Sequence, residues 1–436
     1  MTPTLAGVIG LAVFLVIIMM LRMPIAYAMA IVGFAGYSIL VSPSAAFRLV
    51  SIDIFTNFAS YSLTVVPMFI FMGFIALYSG VGGSLFSFSS KFLGHFRGGL
   101  ALATQAASAL FGAISGSMLA SVATIGSVAL PEMKKHNYNM PYSAVSIAAG
   151  SSLGSLIPPS VILIVYGIAT EQSIGRLFAA GVIPGIVHMG VYMITIIILT
   201  RANPYLFPLV PKANWEERIK AFRAGGVIEV LIVFAVSLGG LFLGWFTPTE
   251  AGAVGAFSLL LITLLEKKMN WPKTKQALAE TTKLTAMIFL LVVGATILGR
   301  FLAVTRIPFD FASMVMGMDV HPFLVMIAIV LINMVLGCVV DAMPLILLTI
   351  PVFFPVIVAL GFDPIWFGIV NVVIVSMGSI TPPVGMSVYI VKGCVPDVPL
   401  EKIFRAIGPF LLADWTFFIL LLLFPAIATF LPGLLF

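Results

Sequence analysis

Residues 154–159 read GSLIPP, and residues 378–383 read GSITPP. The two stretches lie 224 positions apart, each inside an apolar segment, 143–170 and 364–391. Proline lacks an N–H and clashes with the preceding turn, so a Pro-Pro pair breaks a helix and leaves carbonyls without donors. In a bilayer such a break is tolerated only where protein or a water-filled cavity surrounds it. The same spacing recurs outward from the motif. Pro24 in RMPIAYA corresponds to Pro248 in FTPTEAG at the offset of 224. FGAISGSM (111–118) corresponds to LGCVVDAM (336–343) one residue further off, and the apolar run 5–21 to 227–246. Such a period marks an internal duplication, with halves 1–205 and 225–436 joined by a basic linker, 206–224.

Composition fixes the solvent. Of 436 residues, 61% are hydrophobic and 9% charged, with a mean hydropathy of +1.19. A soluble domain is about 45–50% apolar and about 25% charged. A soluble enzyme, a nucleic-acid binder and a disordered chain are excluded, which leaves an all-α polytopic membrane protein. The net charge of +6 reflects basic residues gathered in cytoplasmic loops, so no nucleic-acid partner is expected. Cys338 and Cys394 lie beside apolar runs and suggest neither a disulfide framework nor a thiolate metal site. The first apolar run has no basic residue before it and Arg22 after it, which reads as a retained span. The sequence has no Walker loop, HExxH or His/Cys cluster, which argues against an ATP-driven pump or an enzyme.

Twelve apolar segments can be drawn: 5–21, 25–41, 61–79, 100–130, 143–170, 177–200, 227–246, 249–265, 284–304, 322–360, 364–391 and 404–433. The polar stretches 201–226 and 266–283 have amphipathic or basic helical character and are expected to lie along the membrane surface. Segment 100–130 is uncharged, with 17 of 31 residues Ala, Gly or Ser, and segment 322–360 has one charge, Asp341. The first is flanked by Lys91 and Arg97 and by Lys134 and Lys135, the second by Asp319 and His321 and by Asp363. Like flanks read as re-entrant hairpins whose ends share a compartment. With the N-terminus outside and ten crossings, basic residues divide 18 inside to 4 outside (Arg48, Arg176, Arg300, Arg306), as the positive-inside rule asks.

Five crossings per half invert the second half relative to the first. Inverted repeats with discontinuous helices mark secondary transporters, whose ion and substrate sites lie at the breaks. Carbonyls freed at the two Pro-Pro breaks suit a hard cation such as Na⁺. The first hairpin tip, Ser115-Gly116-Ser117, is small enough for close backbone approach. The second tip carries Asp341, a functional candidate by default because an acid in the bilayer is costly; the lesser alternative is a structural partner for a nearby cation or helix N-terminus. Arg300 either snorkels to the outer interface or pairs with a substrate carboxylate. Glu250 reads as interfacial and structural, His188 as a packing residue in preference to a proton relay, and Asp414 as a buried polar or subunit contact.

Several stretches resemble one family: PMFIFMG (67–73), FGAISGS (111–117), GSLIPPS (154–160), FTPTEAGAVGAF (246–257), GCVVDAMPLILLTIPVFFPV (337–356), LGFDPIWFGI (360–369) and ITPPVGMSVYIVKG (380–393). Over essentially the whole chain they resemble the large membrane subunit, DctM-like, of tripartite ATP-independent periplasmic (TRAP) transporters. The resemblance implies a Na⁺-coupled elevator-type symporter in the bacterial inner membrane. It implies a small four-helix membrane subunit, here a separate polypeptide, and a periplasmic binding protein that delivers a small organic acid such as a dicarboxylate or sialic acid. It places two Na⁺ sites between hairpin tips and broken helices. The first would use Ser115, Met118, Gly154, Ile157 and Pro159, and the second Gly337, Val340, Gly378, Thr381 and Pro383. Ser117, Arg300 and Asp341 match positions near the substrate path. Many relatives carry an acid where this chain has Ser376. Residues 1–60 and 225–283 would form a scaffold, and 61–200 and 284–436 a moving transport domain. A stand-alone organic-anion or ion exchanger of related design is the alternative within transport. An intramembrane enzyme would need companions that Asp341 lacks in its motif.

Overall fold

The computed structural model describes residues 2–224, 226–317 and 320–436, so the flanking Asp319 lies outside the described residues. All regular elements among them are helical. In the first half, α1 (Pro3–Leu21) and α2 (Ile25–Leu40) are divided at Arg22, which adopts φ 50°, and Pro24. α3 (Pro43–Phe58) starts on Ser42, whose hydroxyl accepts the Ala45 N–H. α4 (Val65–Ser79) and α5 (Val81–Leu93) meet at Gly80, where φ is 79° and glycine carries no steric penalty. α6 (Gly99–Ser115) and α7 (Met118–Lys135) follow. α8 (Met140–Ser151), α9 (Leu153–Leu156) and α10 (Val161–Ala169) are the pieces of the segment broken at Pro158-Pro159, and α11 (Ile174–Ala202) ends the half.

The linker forms α12 (Trp215–Arg223), anchored by Arg218, whose guanidinium lies over the rings of Phe92 and Trp215 at 5.4 and 5.1 Å. In the second half, α13 (Val227–Val233) continues through one π-turn into α14 (Gly239–Phe242). α15 (Pro248–Leu265) opens on a Thr247–Glu250 capping box, the structural role expected of Glu250. α16 (Trp271–Thr305) is one continuous helix of 35 residues. It runs through position 283, so the polar stretch before it and the span after it form a single rod. Then come α17 (Ile307–Gly317), α18 (Pro322–Gly337) and α19 (Ala342–Ala359). α20 (Pro364–Gly378) and α21 (Met386–Cys394) flank the second Pro-Pro break. α22 (Leu400–Ala406), α23 (Gly408–Leu423) and α24 (Ala426–Leu435) end the chain. Six described helices are long and apolar enough to cross a membrane, or up to nine spans if each bent pair is counted.

The segment 100–130 folds back on itself. Phe111 of α6 and Thr124 of α7 both press on Gly82, and Leu100 and Glu132, at opposite ends of the sequence segment, line one cavity. The Leu100 N–H donates to the Tyr138 hydroxyl at 3.2 Å and ties the open end. α18 and α19 turn likewise: Leu345 meets Gly337, and Leu336, Leu348 and Val352 line one groove.

The two halves are intertwined. The most extensive helix contacts are α2 on α16 and α15 on α4. Under the 224-residue offset these are the same contact, each made between opposite halves. Gly33 brings α2 onto the backbone of Ile297 and Leu298, and Gly252 brings α15 onto Met68 and Phe69. The half-helices after the breaks cross over too. α21 packs on α7, with Cys394 Sγ beside Gly126, and α10 packs on α19, with Tyr166 edge-on to Phe354.

Candidate functional site

Each hairpin leans on the broken helix of its own half at a pair of glycines. A Cβ on Gly112 would lie 2.6 Å from the Gly154 Cα, and a Cβ on Gly378 would lie 2.6 Å from the Gly337 carbonyl carbon. These positions correspond under the repeat. The contact is backbone on backbone, which only glycine permits at that distance.

At the first tip, Gly116 adopts φ 58°, and a Cβ there would fall 2.3 Å from the Pro159 oxygen. The Val161 N–H donates to the Gly116 carbonyl at 3.3 Å, and the Ser117 carbonyl lies against Gly154. The tip and the break therefore share one seam. In an unbroken helix the carbonyls of Gly154 and Ser155 would receive the N–H of residues 158 and 159, both prolines. Ser160 donates its hydroxyl to the Ser155 carbonyl, and its oxygen in turn caps α10 by accepting the Leu163 N–H. Gly154 receives no such substitute. Ser115 Oγ is buried without a partner, and Ser117 Oγ caps α7 by accepting the Ala120 N–H. Ser115 and Ser117 border a cavity of about 30 Å³ closed by Gly73, Val161 and Leu284.

The second unit shares the pattern but is more open. Thr381 N–H donates to the Gly378 carbonyl at 3.0 Å and Ser387 N–H to the Ser379 carbonyl at 3.1 Å, replacing the donors removed by Pro382 and Pro383. Thr381 donates its hydroxyl proton to the Met377 carbonyl at 2.6 Å, so its lone pairs remain available. Pro159 is buried whereas Pro383 is exposed. Val340 and Asp341 are half-buried at the tip, and Asp341 occupies the N-cap position of α19 without a side-chain capping bond.

The geometry thus gathers Ser117, Gly154 and Pro159 around Gly116, with Ser115 and Met118 adjoining. It joins Gly337 to Gly378, with Thr381 three residues on. Ile157 instead turns its side chain to Gly185. Arg300 belongs to neither tip. It faces an open recess of about 330 Å³ with Arg48 and Tyr37, and its Nη2 lies 3.4 Å from Asp53 Oδ1. Asp53 is itself buried, with Oδ2 unpartnered.

Contacts between the halves were not foreseeable from spacing alone. Ser155 Oγ and Ser376 Oγ are 2.7 Å apart, and Ser379 Oγ, which donates to the Ser376 carbonyl at 2.6 Å, also lies 3.2 Å from Met118 Sδ. Ser155 and Ser379 are repeat equivalents, the one signal that could have flagged them. These bonds connect both breaks and the first tip across the centre of the molecule. Among the described residues no group of three or more His, Cys, Asp or Glu could hold a metal ion. A cation held at either break would therefore be ligated mainly by carbonyls and hydroxyls, a donor set suited to a hard monovalent ion.

Comparison with known proteins agrees with this architecture. Residues 11–427 match the family described as "Tripartite ATP-independent periplasmic transporter, DctM component". The chain is 34% identical to the C4-dicarboxylate TRAP transporter large permease protein DctM of Pseudomonas aeruginosa, over 91% of each chain. It is 30% identical to the sialic acid TRAP transporter large permease protein SiaM of Vibrio cholerae, over 94% of this chain and 95% of that one. The isethionate TRAP transporter permease protein DctMQ of Oleidesulfovibrio alaskensis is 30% identical over 99% of this chain and 66% of its own length. Among solved structures, the Alcanivorax borkumensis YdaH transporter shares the fold, with a TM-score of 0.65 and 15% identity over 88% of this chain and 89% of that one.

Proposed function

The chain belongs to the DctM family of tripartite ATP-independent periplasmic transporters, and we propose that it is the large permease subunit of a sodium-coupled importer of a small organic acid. The observation that carries this reading is the repeated hairpin-and-break unit. Two Pro-Pro breaks remove the donors of two carbonyls each, and each break adjoins a hairpin through a glycine–glycine contact. Na⁺ would bind at the first unit to Ser115, Met118, Gly154, Ile157 and Pro159, and at the second to Gly337, Val340, Gly378, Thr381 and Pro383. Ser117 and Asp341 lie at the tips, where a substrate bound between the units would touch them.

Relatives carry C4-dicarboxylate and sialic acid in their names, and both are carboxylates. Arg300 and Arg48, in a recess apart from the tips, would receive such a group on its path towards them. A substrate carboxylate would displace Asp53, held only through Oδ1, by making the bidentate pair with Arg300 that Asp53 does not make. The protein would sit in the bacterial inner membrane with its N-terminus in the periplasm. There a binding protein would hand over the substrate, and a small membrane subunit would brace the scaffold. Residues 1–60 and 225–283 form that scaffold in this reading, and α16 carries it into the transport domain as unbroken helix. Coupling requires that Na⁺ and substrate each favour binding of the other on the moving unit.

The test is reconstitution of the permease in proteoliposomes with and without its binding protein. Uptake that needs the binding protein supports the tripartite reading. Equal uptake by the permease alone would replace it with a stand-alone exchanger.

A further inference from the structure

His188 and Asp414 are buried ionisable residues that the hairpin units do not use. They lie 226 positions apart, on α11 and α23, with side chains 2% and 1% exposed. His188 Nε2 and Asp414 Oδ1 are 2.8 Å apart. Tyr192, one turn along α11 and also buried, donates its hydroxyl to the same Oδ1. The imidazole stacks on Phe417 at 4.3 Å and 7°. Asp414 Oδ2 has no partner. The expectation of a packing role for His188 therefore covers only part of what it does.

Among the described residues the helices packed on α11 and α23 offer the pair no other charge. α11 carries Arg176 and Arg201 near its ends, both exposed, and none between except His188. α6, α9, α14, α20 and α24 carry no charged or titratable residue, α10 carries only Tyr166, whose hydroxyl donates to the Pro364 carbonyl, and α8 carries only Tyr142, which turns to Phe207. Glu401, Lys402 and Arg405 of α22 are exposed. The pair must settle its own charge. With one proton between them, imidazole and carboxylate sum to zero. Without it, a carboxylate is left in the core with hydroxyl and imidazole N–H donors only, and an unpaired buried charge is costly.

We propose that His188, Asp414 and Tyr192 form a buried proton-binding site that reports to the first broken helix. The link is a hydroxyl relay. Ser152 Oγ is 3.1 Å from the Tyr192 hydroxyl and also donates to the Ala149 carbonyl at 2.7 Å. While Tyr192 donates to Asp414 and Ser152 to Ala149, no proton remains for the contact between them. A proton from solvent taken up on Asp414 Oδ1 turns that oxygen from acceptor to donor, and the Tyr192 hydroxyl is then free to donate to Ser152. Ser152 immediately precedes α9, on which Ser155 meets Ser376, and α9 ends at the Pro158-Pro159 break. Occupancy by a proton is thereby felt where the two halves meet. One O–H bond forms at Asp414 as a proton enters from solvent, and one hydroxyl turns.

The test does not depend on transport. The thermal midpoint of the full chain in nanodiscs is recorded across a series of buffers from acid to alkaline pH. Wild type is compared with D414N, H188Q and Y192F. A midpoint difference between wild type and H188Q, and between wild type and D414N, that changes with pH by a one-proton component is the expected result. Y192F should keep that component at a lower midpoint. Parallel curves for wild type and H188Q would overturn the proposal. H188Q keeps a neutral polar side chain in the cavity and decides the matter alone if D414N does not fold.

Discussion

At the residue scale, Thr381 is the hydroxyl on which the proposed second Na⁺ site depends. Its proton is committed to the Met377 carbonyl, which leaves oxygen lone pairs for a ligand. T381A should weaken Na⁺ activation roughly tenfold, about 1.4 kcal/mol, as read from the Na⁺ dependence of uptake; unchanged activation would remove Thr381 from the site. Lys268 is a different case. Its ammonium bonds Glu229 and Glu266, each at 2.7 Å, and Glu229 is 1% exposed. Burial works against the Lys268 charge, but the two carboxylates outweigh it and raise its pKa. The folded protein thus binds this proton more tightly than the unfolded chain. That stabilisation is complete below the ordinary lysine range and is lost as pH rises past the raised value. K268A strands Glu229 and should cost about 3–5 kcal/mol, while flattening the alkaline loss of thermal stability. A midpoint equal to wild type at neutral pH would contradict this. Residue types alone marked Asp341, Asp414 and His188 as unusual, but a sequence cannot show that residues 188 and 414 meet, because the pairing arises from helix packing between halves.

At the element scale, the hairpins and breaks were legible because proline and glycine act through the backbone they themselves occupy. Pro158-Pro159 and Gly116 dictate where helices stop, whatever surrounds them. α3, α5 and α17 were not legible as helices. α3 mixes exposed Phe47 and Phe55 with Arg48 and the buried Asp53, so no apolar run announces it. The continuity of α16 through position 283 was hidden for a similar reason, since a lysine-rich amphipathic turn and an apolar span read as separate segments although the backbone has no cause to break. The glycine seams give an element-level prediction. G112A would drive a methyl into the Gly154 backbone at 2.6 Å and should destabilise by about 1–3 kcal/mol. Gly190 lies in α11 with nothing within 4 Å of a Cβ, so G190A should be neutral or stabilise by up to about 1 kcal/mol. Thermal midpoints of the two variants separate the cases, and equal behaviour would mean that the seam carries no strain.

At the scale of the whole molecule, the repeat could be read from spacing, but its consequence could not. The offset of 224 residues identifies equivalent helices, yet nothing in it says that α2 packs on α16 and α15 on α4, each against the opposite half. Orientation rests on the 18 to 4 division of basic residues. It predicts that a membrane-impermeant thiol reagent applied from the periplasmic side labels R48C and spares K212C; the reverse pattern would invert the topology. The intertwined packing ties the two halves together, since neither half supplies both sides of these contacts. The central claim remains that the mirrored hairpin-and-break units bind Na⁺ and couple it to substrate. It is tested most directly by uptake into proteoliposomes supplied with loaded binding protein, under an inward Na⁺ gradient or an equal inward K⁺ gradient. The account predicts accumulation with Na⁺ and none with K⁺; equal accumulation under both gradients would contradict it.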